Sequence, residues 1–359
     1  MLSIKKKNVK IILFMTFFAI CSSLFLLLIG QYSLFYQHSF QFFADSSTYH
    51  QAYAGETENF DGTVIGVSNN YLGPLLILEL AQGNMYLVML LNVYIFTCSI
   101  VYISKILNIN PLKLVPLLFL SPLTISFLLS VNKEIFLFPF IAFALNGYMR
   151  RSVTSVAVAL TLALFVRWQM VIFYALIILF QFNIIKSRIS FLLLVLFVIS
   201  AAYLLIQPLI EPVLETVALS FAVYDGGGSG LFEWSLAYQN QGLYFLVFPV
   251  KAFHLLFGMG FKIENIINPT QIYNDLFIGG HCAVTFLVFL TLVKKRVFSL
   301  RNDLMFASSI FLIIFCVTPI FSPRYLYFVF LLWVLILVGA PSSLSCNKLF
   351  PISFKKFIS

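Results

Sequence analysis

Long apolar runs recur along this chain, and they constrain its fold more than any other feature. Runs of about 15 to 21 apolar residues alternate with short polar segments along most of its 359 residues. A helix needs about 20 such residues to cross a bilayer. Only 10% of the residues are charged, whereas a soluble domain carries about 25%. The sequence therefore predicts an all-α, polytopic membrane protein, with a single integral-membrane domain over residues 1–359.

Ten of these runs are predicted to cross the membrane. They are Ile11–Gln31, Asn84–Ser104, Leu114–Val131, Ile135–Met149, Ser152–Val166, Trp168–Asn183, Ile189–Gln207, Leu276–Val293, Leu304–Ile320 and Tyr325–Ala340. The first follows three lysines, as the core of a signal peptide would, but it is too long and no clean cleavage site follows. We therefore expect a retained first helix.

Two further apolar stretches, 71–82 and 243–259, are not predicted to cross. The first is too short, and the second is interrupted by a proline, a lysine and a histidine. Both are expected to be juxtamembrane or re-entrant helices. They belong to two outer loops, 32–83 and 208–275, and loops of that length are usually functional.

The basic residues predict the orientation of the chain. Ten crossings place both termini on the same side of the membrane. All but five of the 22 Lys and Arg fall in clusters on that side. By the positive-inside rule, that side is the cytoplasm. Because the net charge of +9 is explained by this clustering, we expect no nucleic-acid partner. The five cysteines form no CxxC or Cys/His pattern, so neither a disulfide framework nor a zinc site is indicated.

Three of the remaining cations, Lys133, Arg167 and Arg324, lie at the outer ends of short crossings. Crossings of about 15 residues span roughly 23 Å, so these groups, with Glu134 and Tyr325, should lie below the outer interface. Ionisable groups at that depth are costly unless they face a wet cavity or a partner. Since an arginine fork matches phosphate oxygens, we expect a basic phosphate-binding pocket in which Glu134 orients Lys133. A structural Lys-Glu pair and snorkelling arginines are the alternatives.

Asp45 follows the first crossing and precedes two serines. It is placed to accept a proton from a sugar hydroxyl, or to hold a divalent cation; the alternative is a helix N-cap. No cofactor is otherwise expected. Tyr49 and His50, a few residues on, are candidate glycan contacts.

The second outer loop adds further candidate glycan contacts, Trp234 and Tyr238, since aromatic side chains suit sugar faces. Lys251 and His254 of the 243–259 stretch are also candidates, although residues of this kind more often lie on an amphipathic helix face. The glycine-rich segment 225–230 is followed by no lysine and is not a Walker motif; a flexible lid is the expectation.

The order of these features resembles that of bacterial membrane enzymes of glycan assembly. An Asp in the first outer loop, a Lys-Glu between middle helices, an isolated Arg and an Arg-Tyr before the last helix look like GT-C-type glycosyltransferases and Wzy-type O-antigen or capsule polymerases. The matching stretches are Phe43–His50, Ser130–Phe136, Phe165–Gln169 and Ser322–Tyr327. The Phe-rich helices and the chain length are similar too.

This resemblance implies a GT-C-like fold and a glycosyltransferase of the bacterial inner membrane. The substrate would be a glycan linked to polyprenyl phosphate or diphosphate, and other membrane proteins of polysaccharide assembly are candidate partners. Asp45 would act as general base, while Lys133, Arg167 and Arg324 would stabilise the departing lipid phosphate. A GT-C monosaccharide transferase and a flippase of lipid-linked oligosaccharides are the alternatives.

Overall fold

The computed structural model describes residues 2–29, 46–55, 71–182, 185–223, 230–258, 273–318 and 323–339. Most of the described residues are helical, and none of them forms a β-strand. The α-helices are α1 Leu2–Ile29, α2 Ser46–Tyr53, α3 Leu72–Leu80, α4 Met85–Leu107, α5 Pro111–Phe119, α6 Pro122–Leu129, α7 Leu137–Arg150, α8 Val153–Val166, α9 Trp168–Gln181, α10 Arg188–Val223, α11 Gly230–Asn240, α12 Tyr244–Phe257, α13 Gly279–Lys294, α14 Asp303–Phe315 and α15 Tyr327–Val338. Shorter helical turns cover Lys133–Phe136, Tyr273–Ile278 and Pro323–Leu326.

The protein is an all-helical membrane protein. Three helices among the described residues are long and apolar enough to cross a membrane by themselves: Met85–Leu107, Arg188–Gln207 and Asp275–Lys294. Helices α5 and α6 meet the same criterion only as a pair, and they are bent by 94° at their junction. The further apolar helices have 10–17 residues: Val9–Leu24, Val153–Val166, Trp168–Gln181, Tyr244–Phe257, Asp303–Phe315 and Pro323–Val338. That the chain crosses the membrane ten times therefore stays a prediction.

Two of the expected crossings differ most from the helices in the structure. The run Leu114–Val131 is not one helix, because Ser121 is extended (φ −81°, ψ 119°) ahead of Pro122, and a residue before proline is disfavoured in the α conformation. The run Ile189–Gln207 belongs to a helix that continues to Val223. The predicted outer loop therefore begins with helix.

Helix α15 forms the centre of the core. All residues from Leu326 to Ile336 are buried, as expected for a helix that is apolar on every side. It packs against α5, α13 and α14, while α7 packs against α4 and α8. The rings of Phe140, Phe173 and Phe328 meet at centroid distances of 5.2 to 6.4 Å and join α7 and α9 to α15.

Candidate functional site

Three breaks between helices bring the predicted phosphate-binding residues together. Lys133 and Glu134 lie in the turn ahead of α7, Arg167 separates α8 from α9, and Arg324 and Tyr325 lie in the turn ahead of α15. Arg167 Nη2 lies 3.2 Å from Glu134 Oε1. The guanidinium carbon of Arg167 lies 3.5 Å from the centre of the Tyr325 ring, and that of Arg324 lies 5.5 Å from the same centre. We call these five residues the outer cluster.

Arg167 owes its position to a break of one residue in the helical backbone. Its extended conformation (φ −170°, ψ 145°) ends α8 and begins α9. Its N–H still donates to the carbonyl oxygen of Ala163 at 2.8 Å, and its own carbonyl oxygen accepts from the N–H of Met170 at 2.9 Å. The backbone polar groups of this residue are therefore satisfied at the break, as a buried chain requires.

Asparagine side chains shape the backbone ahead of Lys133 and Glu134. Asn92, fully buried on α4, donates from Nδ2 to the carbonyl oxygens of Phe127 at 3.1 Å and Ser130 at 2.8 Å. Asn132 Oδ1 accepts from the N–H of Glu134 at 3.0 Å. Sequence analysis missed the role of Asn92, although an amide within an apolar run is a recognisable signal for a structural hydrogen bond between helices.

Of the five residues of the outer cluster, three are buried and three are cations. Lys133, Glu134 and Arg167 are 6%, 3% and 9% exposed, while Arg324 and Tyr325 are half-buried. Three cations thus accompany one carboxylate. Because burial weakens screening by water, such a group of charges favours an anionic ligand. The cation-π contact of Arg167 with Tyr325 further fixes the guanidinium plane.

Helix α3 contacts the outer cluster from the first predicted outer loop. It packs against the turn 133–136 and against α8. A Cβ atom at Gly73 would lie 2.6 Å from the carbonyl oxygen of Phe165 and 2.9 Å from the Phe136 ring. Only glycine allows this close approach of α3 to the two segments that carry Glu134 and Arg167.

The candidate residues of the first loop lie next to α3. Asp45 lies outside the described residues. Tyr49 is buried and packs edge to face on Tyr71, with the ring centroids 5.4 Å apart. His50 is half-buried against the sulfur of Met85, and burial lowers its pKa below 6.5. His50 is therefore neutral at pH 7 and available for hydrogen bonding rather than for charge.

Lys251 and His254 lie in the interior, although they are candidate glycan contacts by sequence. Lys251 is fully buried, and its Nζ donates to the carbonyl oxygen of Thr318 at 2.6 Å and to Oε1 of Gln239. Gln239 Nε2 donates to the carbonyl oxygen of Val317 at 2.6 Å. These donors satisfy carbonyl groups just beyond the C-terminus of α14, which would otherwise lack partners. We call Lys251 and Gln239 the α14 clamp.

Trp234 and Tyr238 form an exposed aromatic pair on α11. They are 44% and 39% exposed, and their ring centroids lie 4.9 Å apart. Among the sequence candidates for glycan contact with described side chains, these two have the surface that a sugar face needs.

An apolar pocket lies between α7, α9, α14 and α15. Its lining includes Phe140, Phe173 and Phe328, and it extends to Tyr148 and Asp303. Three of these helices begin at the outer cluster. In the described part of the chain, no group of three or more His, Cys, Asp or Glu side chains comes together to hold a metal ion.

Comparison of the chain with protein-family models, with curated proteins and with solved structures finds no match.

Proposed function

We propose that this chain is an integral-membrane glycosyltransferase of polysaccharide assembly. It joins polyprenyl-linked glycan units on the periplasmic face, as an O-antigen or capsule polymerase does. The observation that carries the proposal is the outer cluster, in which Arg167 contacts both Glu134 and Tyr325, Arg324 lies near the same tyrosine ring, and Lys133 precedes Glu134 in the chain. A lipid-linked phosphate is an anionic ligand that can enter a site between membrane helices, and fixed cations stabilise the charge that develops on it.

In the proposed reaction, the hydroxyl oxygen of the acceptor glycan attacks C1 of the donor sugar. The bond between C1 and the phosphate oxygen breaks, and its electron pair leaves with the lipid diphosphate. Lys133, Arg167 and Arg324 stabilise that negative charge. The proton of the acceptor hydroxyl passes to a general base, for which Asp45 is the candidate by sequence.

The position of the cations favours an enzyme over a flippase. The cations of the outer cluster precede α7, α9 and α15, so they gather at one end of these helices. A flippase needs polar groups along a path that reaches the opposite side of the membrane. A GT-C monosaccharide transferase uses the same chemistry, and the two enzymes differ in their products: a ladder of lengths or a single addition.

The proposal is tested by deleting the gene in its own host and separating the surface glycan on a gel. We expect the ladder to collapse to a single repeat unit and to return when the chain is expressed from a plasmid. Loss of one sugar from the repeat unit would instead identify a monosaccharide transferase. An unchanged ladder would refute the proposed function.

A further inference from the structure

Glu134 presents one carboxylate oxygen that its protein neighbours leave unused. Oε1 lies 3.2 Å from Arg167 Nη2. Oε2 is fully buried and has no hydrogen-bond partner among the described residues. Buried charged acceptors are normally satisfied, and each exception calls for an explanation. Oε2 is bonded to the same carbon as Oε1, so it lies next to the oxygen that contacts Arg167.

The hydrogen-bonding chemistry of Oε2 restricts which ligand can pair with it. An ionised carboxylate only accepts hydrogen bonds, so the ligand must supply a hydroxyl or an N–H. The three cations of the outer cluster, Lys133, Arg167 and Arg324, donate hydrogen bonds and attract an anion. The complete ligand therefore carries an anionic group and a hydrogen-bond donor a few atoms away.

A sugar linked through C1 to a diphosphate meets both requirements. Its C2 hydroxyl, or the N–H of a C2 acetamido group, is attached to the carbon next to the phosphate-bearing carbon. Hydrogen bonds at C2 also strengthen as a glycosidic bond breaks. The bare lipid diphosphate that leaves the reaction lacks this donor.

We infer that Glu134 Oε2 accepts a hydrogen bond from the C2 donor of the sugar that carries the diphosphate. Glu134 thereby distinguishes the glycosylated donor from the bare lipid diphosphate, which is the product. This inference rests on the proposed function and assigns Glu134 the recognition of the sugar, in addition to its contact with Arg167.

Glu134→Gln isolates this role. Arginine has donors only, so Arg167 orients the amide with its oxygen in the place of Oε1. The amide NH2 then occupies the place of Oε2, where it donates and cannot accept. Contact with Arg167 is retained, while the acceptor for the sugar is lost. Glu79→Gln, on the exposed face of α3, is the matched control.

Binding to the purified full chain in detergent tests the inference. The probes are undecaprenyl diphosphate alone and the same lipid carrying N-acetylglucosamine, glucose or 2-deoxyglucose. We expect the wild type to bind the better of the first two sugars about 10- to 100-fold more tightly than the bare and 2-deoxy probes, as for hydrogen bonds to charged groups. Glu134→Gln should lose most of the preference for the N-acetylglucosamine probe, because the acetamido N–H cannot accept a hydrogen bond from the glutamine NH2, and Glu79→Gln should behave as wild type.

The inference is overturned if the wild type binds the bare diphosphate as tightly as the glycosylated probes, or if Glu134→Gln keeps the full preference. If Glu134→Gln does not fold, the wild type still tests the inference: equal binding of the 2-deoxyglucose probe and the better of the two probes with a C2 donor would overturn it. The binding of all four probes is also measured on a double variant, Arg167→Lys with Arg324→Lys. This measurement distinguishes a failure of the present inference from a failure of the proposed function. Undiminished binding there would contradict the phosphate site itself, and with it the proposed function.

Discussion

Arg167 and Glu134, 33 positions apart in the sequence, meet through Nη2 and Oε1 at 3.2 Å. The guanidinium carbon of Arg167 also lies 3.5 Å from the centre of the Tyr325 ring, so one side chain joins the starts of α7, α9 and α15. Loss of one partner of a buried ion pair leaves an uncompensated charge and costs about 3–5 kcal/mol. The outer cluster is therefore a structural joint between three helices, in addition to its proposed role as a ligand site.

Gly73→Ala tests the close contact of α3 with the outer cluster. The new Cβ would meet the carbonyl oxygen of Phe165 at 2.6 Å, so α3 must shift. We expect a loss of about 1–3 kcal/mol of stability, as for overpacking in a core, and reduced glycan polymerisation. The matched control is Gly279→Ala, because a Cβ there meets no atom within 4 Å. Equal thermal unfolding of both variants in detergent would contradict this arrangement.

Lys251→Met tests the α14 clamp. The methionine keeps an unbranched stem but leaves Gln239 Oε1 and the carbonyl oxygen of Thr318 without their donor. Unsatisfied buried acceptors cost about 1–3 kcal/mol, so we expect a lower unfolding temperature in detergent. Lys105→Met, at an exposed position, should unfold like wild type. If Lys251→Met is as stable as that control, Lys251 does not stabilise the end of α14.

Features with a local cause in the sequence could be predicted, whereas those that depend on distant contacts could not. Apolar runs predicted most helices, and the cations that interrupt these runs identified the outer cluster, because both signals are local in the sequence. The 94° bend between α5 and α6 was also signalled locally, by Pro122, but the run was predicted as continuous. The burial of Lys251 was not predictable, since its partners come from α11 and from the end of α14.

The membrane topology predicts opposite sides for two loops. In a cysteine-free background, a reagent that does not cross the membrane should label a cysteine placed at Ser229 from the outside. It should label one at Ser299 only after the membrane is permeabilised. Labelling at Ser299 alone in intact cells would show the opposite orientation and contradict the prediction from the positive-inside rule.

Asp45→Asn separates two hypotheses for Asp45. Helix α2 begins at Ser46, the residue after Asp45, so an N-cap and a general base both fit the position. Asparagine caps a helix nearly as well as aspartate, but it cannot accept the proton. A general base contributes about 10²- to 10⁴-fold, so we expect most polymer to disappear while the protein level on a blot stays normal. A normal ladder would be consistent with Asp45 as an N-cap and would contradict its assignment as the general base.

The most direct test of the phosphate site is polymer formation by the purified chain in liposomes, with the lipid-linked glycan of its host. Arg167→Lys and Arg324→Lys keep the charge but lose the planar fork that binds phosphate oxygens. We expect each substitution to slow the growth of the ladder and the release of undecaprenyl diphosphate by about 10-fold or more. A tenfold loss in rate corresponds to about 1.4 kcal/mol of transition-state stabilisation. Arg301→Lys, at an exposed position, should match wild type. Wild-type rates in both variants, and in Arg167→Ala and Arg324→Ala at equal protein levels, would contradict the assignment of the outer cluster as the phosphate site.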